Sequence, residues 1–234
     1  MNAEHVTRLV EFDTPTIANG LELLGVRDPT VGYTGPDVRA LMPELGSRAG
    51  IAVTARVDTT TAGKDDRSHP RVFYDWLREI ERRSGAPGGG AGAVPVFVVV
   101  ESTGAQPRRT VVIGDGMGTQ LMLAGATGFL TNGCIRDIAG VRAVPLACWG
   151  AGLSPMHGTI RWIDTGSPVV IDGMTVRTGD VIHADENGTL CFPAEHLEAV
   201  YDQAIAVREK EARLFQTLGQ PGMTAGRYLD SLSR

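Results

Sequence analysis

The sequence predicts an α/β fold, and three observations carry that expectation. Val94 to Glu101 (VPVFVVVE) is the most apolar run, and a Val-rich segment of this length reads as a strand buried on both faces. Thr110 to Thr131 reads as strand, Gly-rich loop, helix and strand in succession. Between Val144 and Phe192, short strand candidates are punctuated by Gly, Pro and Asp, a density that suggests a barrel-like or sandwich sheet.

The chain opens with helix. Glu4 to Phe12 places apolar residues at helical spacing, and Thr14-Pro15-Thr16 supplies a cap for a second helix through Leu24, stopped near Gly25. Gly50 to Val57 is a strand, and Thr59 to Pro70 a polar, breaker-rich loop. Val72 to Arg83 has the stripe of an amphipathic helix, followed by a Gly-rich connector over 85–92 that is a possible boundary. The Val-rich strand follows, then Thr110 to Ile113, a helix over Thr119 to Ala126 and a strand over Gly128 to Thr131. The later candidates are 144–148, 159–163, 169–171, 174–176, 181–184 and 189–192. A long amphipathic helix then runs from Pro193 to about Leu218 and ends in the turn Gly219 to Gly222. We read one domain over 1–234, because each half alone would hold an incomplete sheet.

Composition narrows the function. With 22 Lys and Arg against 27 Asp and Glu, the net charge of −5 lacks the footprint of a nucleic-acid binder, so the expected partners are small molecules or proteins. No apolar run approaches the roughly 18 to 20 residues of a membrane span, and the N-terminus has neither a basic start nor an apolar stretch, which predicts a cytoplasmic protein. Cys134, Cys148 and Cys191 match neither a zinc pattern nor a redox pair, so buried reduced thiols are expected.

Gly114-Asp115-Gly116-Met117-Gly118 admits three readings: a dinucleotide loop, a smaller anion site where helix N–H groups face a carboxylate, or a tight strand-to-helix turn capped by Asp115. The spacing is GxGxG rather than GxGxxG, which weakens the first. After the next strand comes Asn132-Gly133-Cys134-Ile135-Arg136-Asp137. Adjacent strand ends in an open α/β sheet put their loops in one crevice, so Asp115 and the Arg136-Asp137 pair can meet one ligand. The plainer reading of that pair is a surface ion pair worth about 0 to 1 kcal/mol.

Gly114-Asp115, twenty intervening residues and Arg136-Asp137 resemble the G-D/E-x20-R-D signature of the class II pyruvate aldolases of the RraA-like family, which share the fold of the regulator of ribonuclease activity A. Gly125, Gly128 and Gly133 fall on a family pattern in which Asn132 replaces the usual Asp. Pro168 to Pro193 resembles a further stretch, with Thr178 where Pro is usual, and Ile17-Ala18-Asn19-Gly20-Leu21 stands in place of I-S-D-A-L. The loop 59–70 and the connector 85–92 read as insertions, and the likeness is best over about 94–215.

The resemblance implies a three-layer β/β/α swivelling-domain fold with flanking helices over 4–25 and about 194–218, assembled as a homotrimer or hexamer with its site at a subunit boundary. It implies a metal-dependent lyase that cleaves a 4-hydroxy-2-oxo acid of the 4-hydroxy-4-methyl-2-oxoglutarate type to pyruvate, and that decarboxylates oxaloacetate. Asp137 would ligate Mg²⁺ or Mn²⁺, ions suited to carboxylates and water, while Asp115 orients a metal-bound water that is the expected base. Arg136 would hold the keto oxygen as it becomes an enolate, and the backbone N–H groups of Gly116 and Met117, beside Gly114, the pyruvyl carboxylate. Glu211, on the C-terminal helix, is the candidate contributed by a neighbouring subunit, against the plainer reading of a solvated charged face.

Two rivals stay open: a regulator that binds a ribonuclease without catalysis, and a secondary-metabolism enzyme reusing the enolate site on a larger substrate. His157 is read as structural or as lining the cleft, His183 as a buried structural group, and Trp149 and Trp162 as packing.

Overall fold

The structure, a computed structural model, describes residues 3–59, 70–85 and 93–232. Helix α1 (Ala3–Arg8) passes through a 3₁₀ turn (Leu9–Glu11) into α2 (Thr14–Leu24), the two helices expected over 4–25, with the last turn of the first one 3₁₀. The Asp13 carboxylate accepts the Thr16 N–H at 2.8 Å, which makes Asp13, not Thr14, the cap of α2. Gly25 ends that helix at φ 62°, a left-handed conformation that costs glycine little.

Among the described residues thirteen strands follow in chain order: β1 (Arg39–Ala40), β2 (Arg48–Asp58), β3 (Val96–Ser102), β4 (Val111–Ile113), β5 (Ala126–Thr131), β6 (Cys134–Ile135), β7 (Ala147–Gly150), β8 (Gly152–Leu153), β9 (Arg161–Thr165), β10 (Val169–Ile171), β11 (Met174–Val176), β12 (Val181–Asp185) and β13 (Gly188–Phe192). Eight belong to one sheet, ordered β1-β7-β5-β3-β2-β12-β13 with β9 also on β2. The parallel pairs β2–β3, β3–β5 and β5–β7 form its middle, where both faces are covered and the chain is accordingly rich in Val. Val96 to Val100 are fully buried. The remaining short strands form a β10–β11 hairpin and a three-stranded sheet β4-β6-β8, so their density reflects three sheets rather than one barrel. β2 and β3 lie on either side of the Gly-rich connector yet pair from Ile51↔Val96 to Val57↔Ser102. That connector over 86–92 and the loop over 60–69 lie outside the described residues.

Helix α3 (Pro70–Ser84) seats Trp76 and Ile80 in the core, with Trp76 and Phe73 against Trp162 at centroid distances of 5.3 and 5.2 Å. Helices α4 (Asp115–Leu123) and α5 (Ile138–Ala143) follow β4 and β6. The short α5 carries no amphipathic signal and was not expected. The long helix α6 spans Leu197–Leu218, and Ala194–His196, expected as its first turn, is 3₁₀. Its first half buries Val200, Tyr201, Ala204 and Val207, and a further helix, α7 (Ala225–Leu232), occupies the expected tail. All three cysteines are free and buried, and burial pushes the Cys191 thiol up to about 12. Among the described residues no helix is long and apolar enough to cross a membrane.

Candidate active site

The site grows from the carboxyl edge of the small parallel sheet. β4 pairs with β6 through Val111↔Cys134 and Ile113↔Ile135, and β6 pairs with β8. The Arg136 N–H donates to the Ile113 carbonyl at 3.0 Å, so Gly114 and Arg136 leave the sheet side by side, where loops of parallel strands build ligand crevices. Ser154 closes the third side: its N–H donates to Ile135 O at 3.1 Å and its hydroxyl to Arg109 O at 2.9 Å. Val111 N–H donates to Met156 O at 3.3 Å, which carries His157 back beside β4.

Gly114 is the N-cap residue of α4, and a Cβ there would stand 2.7 Å from Asp137 Oδ2. Only glycine lets that carboxylate lie against the loop. Gly140 does the same for Asp115, whose own Cβ would be 2.6 Å from an added one. Asp115 is the first residue of α4, and its Oδ1 accepts the Gly116 N–H at 2.7 Å. The first helical rung, Gly118 N–H to Gly114 O at 2.9 Å, comes after the Gly116 and Met117 N–H groups, which have no partner within the helix itself. Of this pair, expected to bind a carboxylate together, Gly116 is engaged by Asp115 within the chain.

Asp137 sits at φ 54°, a left-handed conformation costing a non-glycine residue on the order of 1 kcal/mol, and its carbonyl starts α5 by accepting the Val141 N–H at 3.0 Å. Its carboxylate does not cap α5. It meets Arg136 Nε at 3.1 Å, with the two side chains 42% and 37% exposed, a contact weak enough for a ligand to rearrange.

A cavity of about 280 Å³ is lined by Gly114, Asp115, Gly116, Met117, Arg136 and Asp137, so the structure gathers all six of these expected residues in one place. His157 and Ile160 complete its wall, and Val111 to Ile113 also line it. Ile160 carries no sequence signal, being an isolated aliphatic before a strand. Glu211 does not line this cavity; it accepts from Asn19 Nδ2 at 3.5 Å on α2.

Among the described residues no group of three or more His, Cys, Asp or Glu is gathered for a metal. Asp137 and Asp115 are nonetheless oxygen donors on one cavity, a set that suits Mg²⁺ or Mn²⁺, which retain water ligands, better than zinc.

Three of the departures from the expected pattern have a structural account. Asn132 accepts the Ser102 N–H at 2.7 Å and donates to Ser102 O at 3.0 Å, a pair of bonds Asp cannot make. The Thr178 hydroxyl accepts the Thr54 N–H at 3.1 Å. An Asp in place of Asn19 would put a second carboxylate against Glu211.

A second polar group lies in the core. Asp185 accepts the Thr14 N–H at 2.8 Å and the Asn187 N–H at 2.7 Å, and its carbonyl accepts the Trp149 indole N–H at 2.8 Å. Beside it His183, fully buried, accepts from the Thr14 hydroxyl at 2.9 Å and donates to Leu9 O at 3.2 Å. Burial holds its pKa below the ordinary value, so the imidazole is neutral.

A family model described as RraA-like, Aldolase/RraA, matches residues 14–191. A protein from Ectopseudomonas mendocina named "Putative 4-hydroxy-4-methyl-2-oxoglutarate aldolase" is 31% identical over 165 residues, 69% of this chain and 94% of that protein. Protein DlpA of Legionella pneumophila is 32% identical over 89 residues, and the chain spans 14% of its length. Among solved structures, an uncharacterised protein from Pseudomonas syringae pv. tomato superposes with a TM-score of 0.74 at 20% identity, covering 99% of this chain and 95% of that one. Streptomyces coelicolor RraAS2, described as an unusual member of the RNase ES inhibitor RraA protein family, gives 0.69 at 22% identity, covering 91% and 96%. At such identities the structural likeness is one of fold.

Proposed function

This chain belongs to the RraA-like family, and from that premise we propose that it is a divalent-metal-dependent lyase that cleaves a 4-hydroxy-2-oxo acid to pyruvate through an enolate and decarboxylates oxaloacetate by the same route. The observation that carries the proposal is the convergence of Gly114 to Met117, Arg136 and Asp137 on one cavity. Both reactions break a bond at C3 of a 2-oxo acid and leave charge on the C2 oxygen. Arg136, with a half-exposed guanidinium at that cavity, stabilises this oxygen, and a donor of this kind is worth roughly 10² to 10³ in rate. The Met117 N–H at the start of α4 binds the substrate carboxylate, and the Gly116 N–H joins it when Asp115 turns away. Asp137 holds the Mg²⁺ or Mn²⁺ with Asp115 beside it, and the ion, when bound, adds Lewis-acid stabilisation of the enolate. A homotrimer or hexamer belongs to the same proposal, with Glu211 serving a neighbouring subunit, since it lies off its own chain's cavity.

The test is pyruvate release, coupled to lactate dehydrogenase, from oxaloacetate and from 4-hydroxy-4-methyl-2-oxoglutarate. The expected result is turnover with Mg²⁺ or Mn²⁺ that EDTA abolishes and added metal restores. No turnover of either compound by folded, metal-supplied protein overturns the proposal.

A further inference from the structure

We infer that Gly140 is a positioning residue of the metal site: having no side chain, it lets the starts of α4 and α5 approach so that Asp115 and Asp137 serve one ion. The inference rests on the lyase reading above. Gly140 is the third residue of α5, and its backbone is ordinary right-handed helix, unlike the chain's positive-φ glycines. Nothing in its own conformation calls for glycine, which is a poorer helix former than alanine. What excludes a side chain is the neighbouring helix. A Cβ on Gly140 would lie 2.6 Å from the Asp115 Cβ and 2.7 Å from its Oδ2. A carboxylate oxygen can swing aside by rotation, but a Cβ is fixed by its backbone, so relief requires the two helix starts to part.

The same relation runs the other way. Gly114, directly before Asp115, is extended backbone at φ −129°, and a Cβ there would lie 2.7 Å from Asp137 Oδ2 and 3.3 Å from Arg136 Nε. Each aspartate thus occupies the space that a side chain on the other's segment would fill. The next glycines do not share this property: a Cβ on Gly116 meets nothing within 4 Å, and one on Gly118 meets only ordinary contacts from 3.8 Å outward. The Asp115 carboxylate is tied to its own helix start, its Oδ1 accepting the Gly116 N–H at 2.7 Å, so it moves with the α4 backbone. Both aspartates line the cavity, and the separation of the two helix starts therefore sets how well the pair receives one ion.

The test is Mn²⁺ binding in the absence of substrate, read from the loss of the free-ion EPR signal on folded protein. Gly140→Ala should weaken binding by about 10-fold or more, the scale on which groups that orient metal ligands act, while the circular dichroism stays that of the parent. Gly118→Ala adds the same methyl group to α4 without touching either aspartate, and should leave Mn²⁺ binding unchanged. Asp115→Gly removes the Cβ that the new methyl meets, so in that background Gly140→Ala should weaken binding no further. Equal Mn²⁺ affinity in Gly140→Ala and the parent overturns the inference. An equal loss in Gly118→Ala overturns it too, as does a loss that persists in full in the Asp115→Gly background. If Gly140→Ala alone does not fold, the double variant decides: a folded one places the conflict at Asp115 as inferred, and an unfolded one assigns Gly140 to the fold and overturns the inference. A parent chain that binds no Mn²⁺ is the failure of the lyase reading itself and takes this inference with it.

Discussion

Two polar regions of the molecule use the same residue types to opposite ends. In the core, Asp185 and His183 have their hydrogen-bonding atoms matched by Thr14, Asn187 and Leu9, and the charge of Asp185 is held by two backbone N–H groups. At the cavity, Asp137 and Arg136 are about two-fifths exposed and meet through one contact at 3.1 Å, Asp137 is held in a left-handed backbone, and His157 keeps one ring nitrogen unbonded to protein among the described residues. A buried polar group without partners costs about 1 to 3 kcal/mol, so the core must satisfy its own. A catalytic group has to leave capacity for its ligand. The Asp185 region is therefore read as structure and the Asp137 region as function, although each is an aspartate near a histidine.

The largest expected effect breaks this comparison at its functional end. Asp137→Ala should abolish metal-dependent pyruvate release while the unfolding midpoint stays within a few degrees, because the lost ion pair is half-exposed and worth about 0 to 1 kcal/mol. Arg136→Ala should lower kcat by roughly 10² to 10³ with a smaller change in KM, since its interaction strengthens as the enolate forms. Equal activity in either variant would remove the distinction between the two regions.

Much of that distinction was legible in the sequence. The spacing of Gly114-Asp115 and Arg136-Asp137 predicted one shared crevice, and the two pairs do share one, but at the ends of β4 and β6 rather than of β4 and the strand expected over 128–131, which as β5 belongs to the main sheet. The Val-rich run of β3 and the short strands β10, β11, β12 and β13 were readable because their periodicity is local. What escaped depends on contacts between distant residues. Gly133-Cys134 reads as a turn, yet Cys134 and Ile135 form β6 because β4 and β8 lie on either side. Asp13 caps α2 ahead of the Thr14-Pro15 signal, while Thr14 serves Asp185 and His183 from 171 and 169 positions away, a pairing no local pattern encodes. The Gly116 N–H was expected to await a carboxylate, and the neighbouring Asp115 side chain reaches it first.

A smaller effect sharpens the structural end of the comparison. Asp185→Asn turns an acceptor-only group into one that presents an amide to the Thr14 or Asn187 N–H donors, leaving a buried donor unmatched. The expected cost is about 2 kcal/mol in urea unfolding, with kcat/KM for pyruvate release within about twofold of the parent. Collapse of activity without loss of stability would show that the core group reaches the chemistry.

The smallest effect is a pH dependence that only the core histidine predicts. Burial lowers the folded-state pKa of His183 below its ordinary value of 6.5, so the folded chain refuses a proton that the unfolded chain accepts. The unfolded state then binds more protons in the window below pH 6.5, and stability falls with falling pH there, at most about 1.4 kcal/mol per pH unit from this group, until the folded pKa is reached. Above that window its contribution is fully present. Urea unfolding of the parent chain from pH 7.5 to 5 should show this slope, and His183→Gln, which keeps one acceptor and one donor but does not titrate, should be less stable at pH 7.5 yet flatter toward pH 5. If the variant keeps the parent's slope, the acid sensitivity belongs to other groups, and the neutral imidazole bonded to Thr14 and Leu9 is not what ties the N-terminal helices to β12.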